Sequence, residues 1–210
     1  LENLVIEKII KSRIHGRCVL ILSDGKSVFA LIDTVLEFGL NKDKTISEEQ
    51  IQLLQNALKI NKLKSYSMKL CEGFSRSEYQ IRQKLKLKEF PVEEIQNTIL
   101  RLKEIGMIND KKFSENFVNY SIRKKWGIGK IVRELEIRKV KFEDYNELIE
   151  NLSDENDFFS NAVETAEKKL RILKSKPEIK QKDSIFRHLI TKGYSYDIAK
   201  KVLQKLFSTN

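Results

Sequence analysis

Residues 124–135, KKWGIGKIVREL, set two glycines and a lysine ahead of an apolar run, much as a phosphate-gripping loop does. That grip needs Gly, four residues, then Gly-Lys-Ser/Thr, so that backbone N–H groups close on phosphate oxygens and a hydroxyl reaches magnesium. With Gly129-Lys130 as the Gly-Lys pair, the first glycine belongs where Lys124 stands and the hydroxyl where Ile131 stands. Charged, helix-favouring residues precede the stretch instead of a strand. Nucleotide chemistry is therefore not expected, and the glycines are read as a turn before a helix. What remains is a crowd of cations, Arg123, Lys124, Lys125, Lys130 and Arg133, around Trp126, the only tryptophan. Cations at a helix start beside an indole can meet phosphates and a base, or an acidic protein groove. The competing reading is a solvated basic face with Trp126 in the core. Arg76, Arg82 and Lys84 form a second candidate group, set against ordinary helix-surface pairing with Glu78.

Other chemistry has little to stand on. Cys18 and Cys71 lack paired spacing, and His15 and His188 lie far apart, so no metal site and no cofactor are expected. No Ser/His/Asp set or pair of catalytic carboxylates stands out, and His188 is read as a surface or partly buried histidine. The expectation is a protein that acts by contact, not an enzyme.

Charge says what it would touch. The 210 residues carry 40 Lys and Arg against 30 Asp and Glu, a net +10. That balance favours nucleic acid or a protein–nucleic acid filament. The charge also comes in blocks: residues 121–141 are +6, residues 142–157 are −7 and residues 168–182 are +6. A surface made only for solubility needs no such segregation. The acidic block is read as a solvated face, or as a complement to a basic neighbour. No apolar run reaches the ~18 residues of a membrane span, and the start lacks the basic-then-apolar order of a signal peptide. A cytoplasmic location, no membrane association and a monomer are expected.

These residues must be positioned by helices. Residues 4–31 favour strands, with Asp24-Gly25 predicting a tight primed hairpin turn. Cys18, Leu20 and Leu22 alternate with Val19 and Ile21, so a small sheet covered by another element is predicted. A short helix near 32–39 ends at Gly39. Ser47 with Gln50, and Ser75 with Glu78, read as capping boxes. Asp110 and Ser195 read as N-caps, and Pro91 as a first-turn proline followed by Glu93 and Glu94. Gly106 and Gly193 sit where a helix end wants a left-handed residue.

The strongest pattern is a repeat. With Leu85, Leu135 and Leu189 as origins, Ile81, Ile131 and Ile185 stand four residues earlier. Phe90, Val140 and Tyr194 follow at +5, and Val92, Phe142 and Tyr196 at +7. Ile95, Tyr145 and Ala199 follow at +10, Ile99, Ile149 and Leu203 at +14, and Leu102, Leu152 and Leu206 at +17. This reads as helix, tight turn, helix, with +5 and +7 plugging the junction. A longer helix precedes each pair: Leu63, Met68 and Leu70 are set against Phe113, Val118 and Tyr120, and the third carries Phe159, Ala162, Val163, Ala166 and Leu170. The prediction is a mainly α chain, with a β-rich segment over 1–56 and three-helix repeats over 57–108, 109–155 and 156–210. The three tandem helix-turn-helix-like repeats are expected to form an elongated curved body.

The repeats resemble the RecX family of recombination regulators. The family's Arg-Ser…Lys-Leu opening matches Arg76, Ser77, Lys84 and Leu85. Its Ile-Asp-Asp…Phe-Ala segment matches Ile108, Asn109, Asp110, Phe113 and Ser114, with Asn109 and Ser114 departing. Its Gly…Ile…Glu-Leu…Lys-Gly run matches Gly127, Ile131, Glu134, Leu135 and Lys139, with Val140 replacing the last glycine. Lys192-Gly193-Tyr194 fits its basic-Gly-aromatic turn, and the likeness spans roughly residues 60–207. The departures are read as packing or capping changes. The resemblance implies a non-enzymatic protein that lies in the groove of the RecA–single-stranded DNA filament. There it inhibits ATP hydrolysis and strand exchange or promotes disassembly, and some members bind DNA themselves. The alternative is a stand-alone DNA-binding protein, architectural or transcriptional, using its units as helix-turn-helix modules.

Overall fold

The computed structural model describes residues 4–73, 75–153 and 156–208. Among the described residues, four strands come first: β1 Leu4–Lys11, β2 Arg17–Leu22, β3 Ser27–Leu31 and β4 Thr45–Ile46. They form one antiparallel sheet in the order β3-β2-β1-β4. A short helix, α1 (Ile32–Glu37), follows β3 and ends with Gly39 at φ +58°. The inner sheet residues Ile6, Cys18, Leu20, Leu22, Val28, Ala30 and Ile46 are buried with Val35, Ile51 and Leu54. The cover that the alternating apolar residues demand is thus α1 and the start of α2 (Glu48–Cys71).

The hairpin at Asp24-Gly25 is present, but its loop is not the primed two-residue turn. Leu22 N–H donates to the Lys26 carbonyl across Ser23, Asp24 and Gly25, and only Gly25 has positive φ. The Asp24 carboxylate accepts from Lys26 N–H at 3.0 Å, which stabilises Asp24 in an ordinary conformation and leaves glycine to make the bend.

Among the described residues, nine further α-helices follow α1, in three consecutive triplets: α2, α3 (Glu78–Lys86) and α4 (Val92–Glu104); α5 (Asp110–Arg123), α6 (Ile128–Ile137) and α7 (Asn146–Ser153); α8 (Asn156–Ile172), α9 (Glu178–Thr191) and α10 (Tyr196–Phe207). α2 runs unbroken across residue 57, where the first repeat is expected to begin. Residue 108 falls between α4 and α5, and Glu155, at the next expected boundary, lies outside the described residues. The chain divides into two compact units, residues 1–72 with 84–101, and residues 73–83 with 102–210. The second unit holds its own core, in which Phe113, Val118, Ile131, Leu135, Ile185, Leu189 and Val202 are buried.

Burial is kept at the origin, four residues before it and at +10. At +5 Phe90 is only half-buried. At +14 Ile99 is buried while Ile149 and Leu203 are half-buried. At +17 Leu102 is buried and Leu206 half-buried, and the side chain of Leu152 lies outside the described residues. Ile81, Leu85, Ile131, Leu135, Ile185 and Leu189 are all buried, as are Ile95, Tyr145 and Ala199 at +10. Val140 and Tyr194 are buried at +5. The +7 residues do not plug the junction: Val92, Phe142 and Tyr196 are 68%, 63% and 57% exposed. Val92 and Tyr196 are the first residues of α4 and α10, and Phe142 opens a short 3-10 turn, Phe142–Asp144, ahead of α7. The preceding helices also slip in register. The buried residues are Leu63, Ser67 and Leu70 in α2 and Phe113, Val118 and Ser121 in α5, so Met68 and Tyr120, both exposed, are not core positions.

Caps differ from the sequence reading in three places, one being Pro91, which stands at the cap position before α4 and not in its first turn. The box before α3 is Ser77 with Gln80: each backbone N–H donates to the other's side chain, at 3.1 and 3.3 Å. Ser75 lies too early, because α3 begins at Glu78. Asn109, not Asp110, caps α5, accepting from Lys112 N–H at 2.9 Å. Asp110 caps α3 instead, taking the N–H of Glu78 at 2.8 Å. Ser47 with Gln50 and Ser195 cap as expected.

Candidate cation–aromatic binding surface

The glycines of the KKWGIGK stretch have a structural task, but not the one a turn imposes. Gly127 has φ −75°, which any residue adopts, and the left-handed residue of the α5–α6 turn is Lys125. Gly127 N–H donates to the Lys192 carbonyl at 2.8 Å and Gly129 N–H to the Gly193 carbonyl at 3.1 Å. A Cβ on Gly127 would overlap the backbone of Gly193, and a Cβ on Gly193 would overlap the backbone of Lys130. Three glycines therefore let the start of α6 and the α9–α10 turn touch main chain to main chain. The same contact satisfies N–H groups that a phosphate would need, so the stretch has no phosphate-loop chemistry left in it.

Around this seam the polar groups are arranged to hold it. Tyr194 O–H donates to the Lys125 carbonyl at 3.0 Å, and burial pushes its phenol pKa up. The Lys125 ammonium pairs with Glu164 of α8, which Lys168 also reaches at 3.0 Å. Hydrogen bonds from Lys125 and then Lys168 hold the Glu164 carboxyl well below its usual value. Lys125, expected at the binding surface, is thereby tied into the protein.

Lys124, Lys130 and Arg138 lie over aromatic rings. Trp126 is half-buried, packing edge-on to Phe117 at 6.2 Å and to Tyr120 at 6.4 Å between ring centroids. The Lys130 ammonium lies 4.1 Å from the Trp126 ring centre, and that of Lys124 lies 5.6 Å from the Tyr120 ring centre. The Arg138 guanidinium covers Phe117 at 4.7 Å and pairs with Glu134 one turn back. Such contacts contribute roughly 0.5–1 kcal/mol each at exposed sites. One edge of Trp126 thus joins the core and one face carries a cation. Arg123, Lys124 and Arg133 are exposed. Lys130 and Arg133 also line a groove of about 830 Å³ whose walls include Ile128, Ile137, Phe158 and Ile198.

Tyr120 was missed by sequence reading, which had set it against buried Leu70. It is 46% exposed. Lys124 four residues later was the available signal, since i and i+4 share a helix face.

Arg82 donates to Glu78 at 2.8 Å, and Lys103 reaches the other Glu78 oxygen at 2.8 Å. Burial raises the Glu78 pKa, but these hydrogen bonds outweigh it and leave the carboxyl below its usual value. Burial pushes Asp110 the other way, above the usual range, with the N–H bond from Glu78 offsetting only part. Both line a groove of about 510 Å³ with Arg82, Lys103, Lys139, Lys141 and Asp144, so this region mixes signs. Arg76 immediately precedes the Ser77 cap, and Lys84 is exposed on α3. In the acidic block, Asp154 and Glu155 lie outside the described residues. Among the described residues, no group of three or more His, Cys, Asp or Glu is placed to hold a metal ion.

Comparisons with known proteins converge on one family. Residues 64–102 match the model of the RecX first three-helix domain, and residues 155–203 that of the RecX third three-helix domain. Regulatory protein RecX of Clostridium perfringens (strain SM101 / Type A) is 34% identical over 178 residues, covering 83% of this chain and 82% of its own. Regulatory protein RecX of Clostridioides difficile (strain 630) is 29% identical and covers 97% and 96%. A crystal structure of regulatory protein RecX has the same fold, with TM-score 0.65 at 23% identity, covering 95% of this chain and 98% of that one.

Proposed function

This chain belongs to the RecX family of regulatory proteins, and on that premise we propose that it is a non-enzymatic regulator of the RecA–single-stranded DNA filament, gripping it through the cation–aromatic surface of α5 and α6. One observation carries the reading. Lys130 on Trp126 and Lys124 on Tyr120 set charge and ring together on an exposed surface, flanked by Arg123 and Arg133. None of these four cations pairs with a carboxylate among the described residues. Steering toward an acidic filament needs such unpaired charge, and the rings supply contact area that charge alone lacks. Lys125 supports this surface from behind, through Glu164. Arg76, Arg82 and Lys84 form a lesser contact, since Arg82 must first leave Glu78.

Residues 109–155, between the two matched segments, serve as the second of three tandem units, so that weak contacts from neighbouring units add. The protein works as a cytoplasmic monomer in this reading. No helix among the described residues is long and apolar enough to cross a membrane.

The test is DNA-dependent ATP hydrolysis by RecA with sub-stoichiometric protein added. The expected result is slower hydrolysis, with the double variant Lys124→Glu/Lys130→Glu needing about five- to tenfold more protein for the same effect. An unchanged hydrolysis rate and filament length at low salt would sink the proposal. Tight, sequence-selective duplex binding without RecA would favour the stand-alone DNA-binding reading.

A further inference from the structure

The outer face of the N-terminal sheet takes no part in the surface just described, and it is unusual for a face turned to water. The strand registers fix its membership. Lys8 pairs with Ile21 and Ile21 with Ser27; Ile10 pairs with Val19 and Val19 with Phe29; Arg17 pairs with Leu31. Because strand side chains alternate, and Cys18, Leu20 and Leu22 go into the core, these residues form the opposite face. Its middle row is apolar across three strands, with Phe29 56% and Ile10 40% exposed. The solvated face of an antiparallel sheet is ordinarily polar. An exposed phenylalanine on the edge strand, at the end of a β-branched row, costs hydration and asks for a partner.

Charge narrows the partner. Residues 7–23 carry Lys8, Lys11, Arg13 and Arg17 against Glu7 alone, a net +3. Asp24, which ends the stretch, is held by Lys26 at 2.9 Å. A second copy of this chain is a poor fit, because pairing the face with itself sets cation against cation. An acidic peptide would satisfy the charge without needing an exposed ring. A duplex hides the faces of its bases. A single strand offers both phosphates and open base faces, and an aromatic ring on an open sheet suits it.

We propose that this face binds single-stranded nucleic acid, with a base stacked on Phe29 against Ile10 and Val19, and phosphates along Lys8 and Arg17. The proposal does not rest on the RecA reading, and its test contains no RecA. Anisotropy of fluorescein-labelled oligo(dT) at low salt is measured with the full chain, with Phe29→Ala, with Lys8→Glu/Arg17→Glu, and with Lys124→Glu/Lys130→Glu as the other surface. Phe29 lies outside the core, so its removal leaves the fold intact, which circular dichroism verifies. Phe29→Ala should weaken oligo(dT) binding about tenfold, and binding to a duplex of equal length by less than about twofold. Lys8→Glu/Arg17→Glu should also flatten the salt dependence, by about 0.7 per lost contact. A bromodeoxyuridine oligonucleotide should crosslink within β1–β3. Unchanged affinity in both sheet variants, equal losses for single and double strands on removing Phe29, or adducts confined to α5 and α6 would each overturn the proposal. So would a dimer in sedimentation that Phe29→Ala dissolves.

Discussion

The turn after α6 and the turn after α9 share one backbone and differ in what they tolerate. In the first, Lys139 N–H donates to the Glu136 carbonyl at 2.9 Å and Val140 N–H to Leu135 at 3.2 Å. In the second, Gly193 N–H donates to Ile190 at 2.9 Å and Tyr194 N–H to Leu189 at 3.1 Å. The residue at the bend is left-handed in both, with φ +53° at Lys139 and +89° at Gly193. Glu89, at the same place after α3, has φ +57°. Two of three equivalent bends thus carry a side chain at some strain. The third cannot, because Lys130's backbone lies where the Cβ would go. A glycine in a repeat can therefore record a neighbour and not a bend. It also follows that Lys139, and not Val140, is the left-handed position of the second unit, while Val140 is the buried plug at +5.

This contrast can be broken by substitution. Gly193→Ala combines a backbone overlap with a left-handed alanine and should cost about 3–4 kcal/mol in chemical denaturation. Gly127→Ala has the overlap alone and should cost about 2–3 kcal/mol. If the two losses match those of alanine at an open turn, the seam is not close-packed. Lys139→Gly should instead raise stability slightly, by up to about 1 kcal/mol, because strain relief exceeds the added freedom of the unfolded chain. A loss there would mean the two turns are not alike.

The smallest effect concerns charge across the same seam. The folded Glu164 carboxyl lies below its unfolded value, so its pairing with Lys125 and Lys168 stabilises the protein above the usual carboxylate pKa. That contribution fades as pH falls through the depressed value. Glu164→Gln should therefore differ from the parent at pH 7, converge with it in strong acid, and lose its effect in high salt, whereas the Gly127→Ala deficit should persist in all three conditions.

Much of the architecture was legible because it is local. Helix ends at Gly39, Gly106 and Gly193, the Ser47 box and the seven-point repeat depend on residues within a turn or two of each other. What sequence reading got wrong depends on distant partners. The glycine pair at 127 and 129 answers to residues 192–194, and Asp110 caps a helix that starts at Glu78. The exposure of Val92, Phe142 and Tyr196 was hidden for another reason: an apolar residue at a regular offset looks the same whether it is the last of one buried stripe or the exposed residue that opens the next helical turn. At the proposed binding surface, the cations and Trp126 could be named from their crowding, but the Tyr120 ring edge beside Trp126 could not, because the α5–α6 turn brings them together.

α2 serves two masters along one rod. Its first turns close the sheet through Ile51 and Leu54, while Leu63, Ser67 and Leu70 are buried further along. The two ends are locked in angular phase. Inserting one residue at its middle would rotate one buried stripe by about 100° relative to the other, and seven residues would nearly restore it. Relatives that lengthen this helix should do so in steps close to whole pairs of turns, and a grafted sheet will seat only if its helix arrives with matching phase.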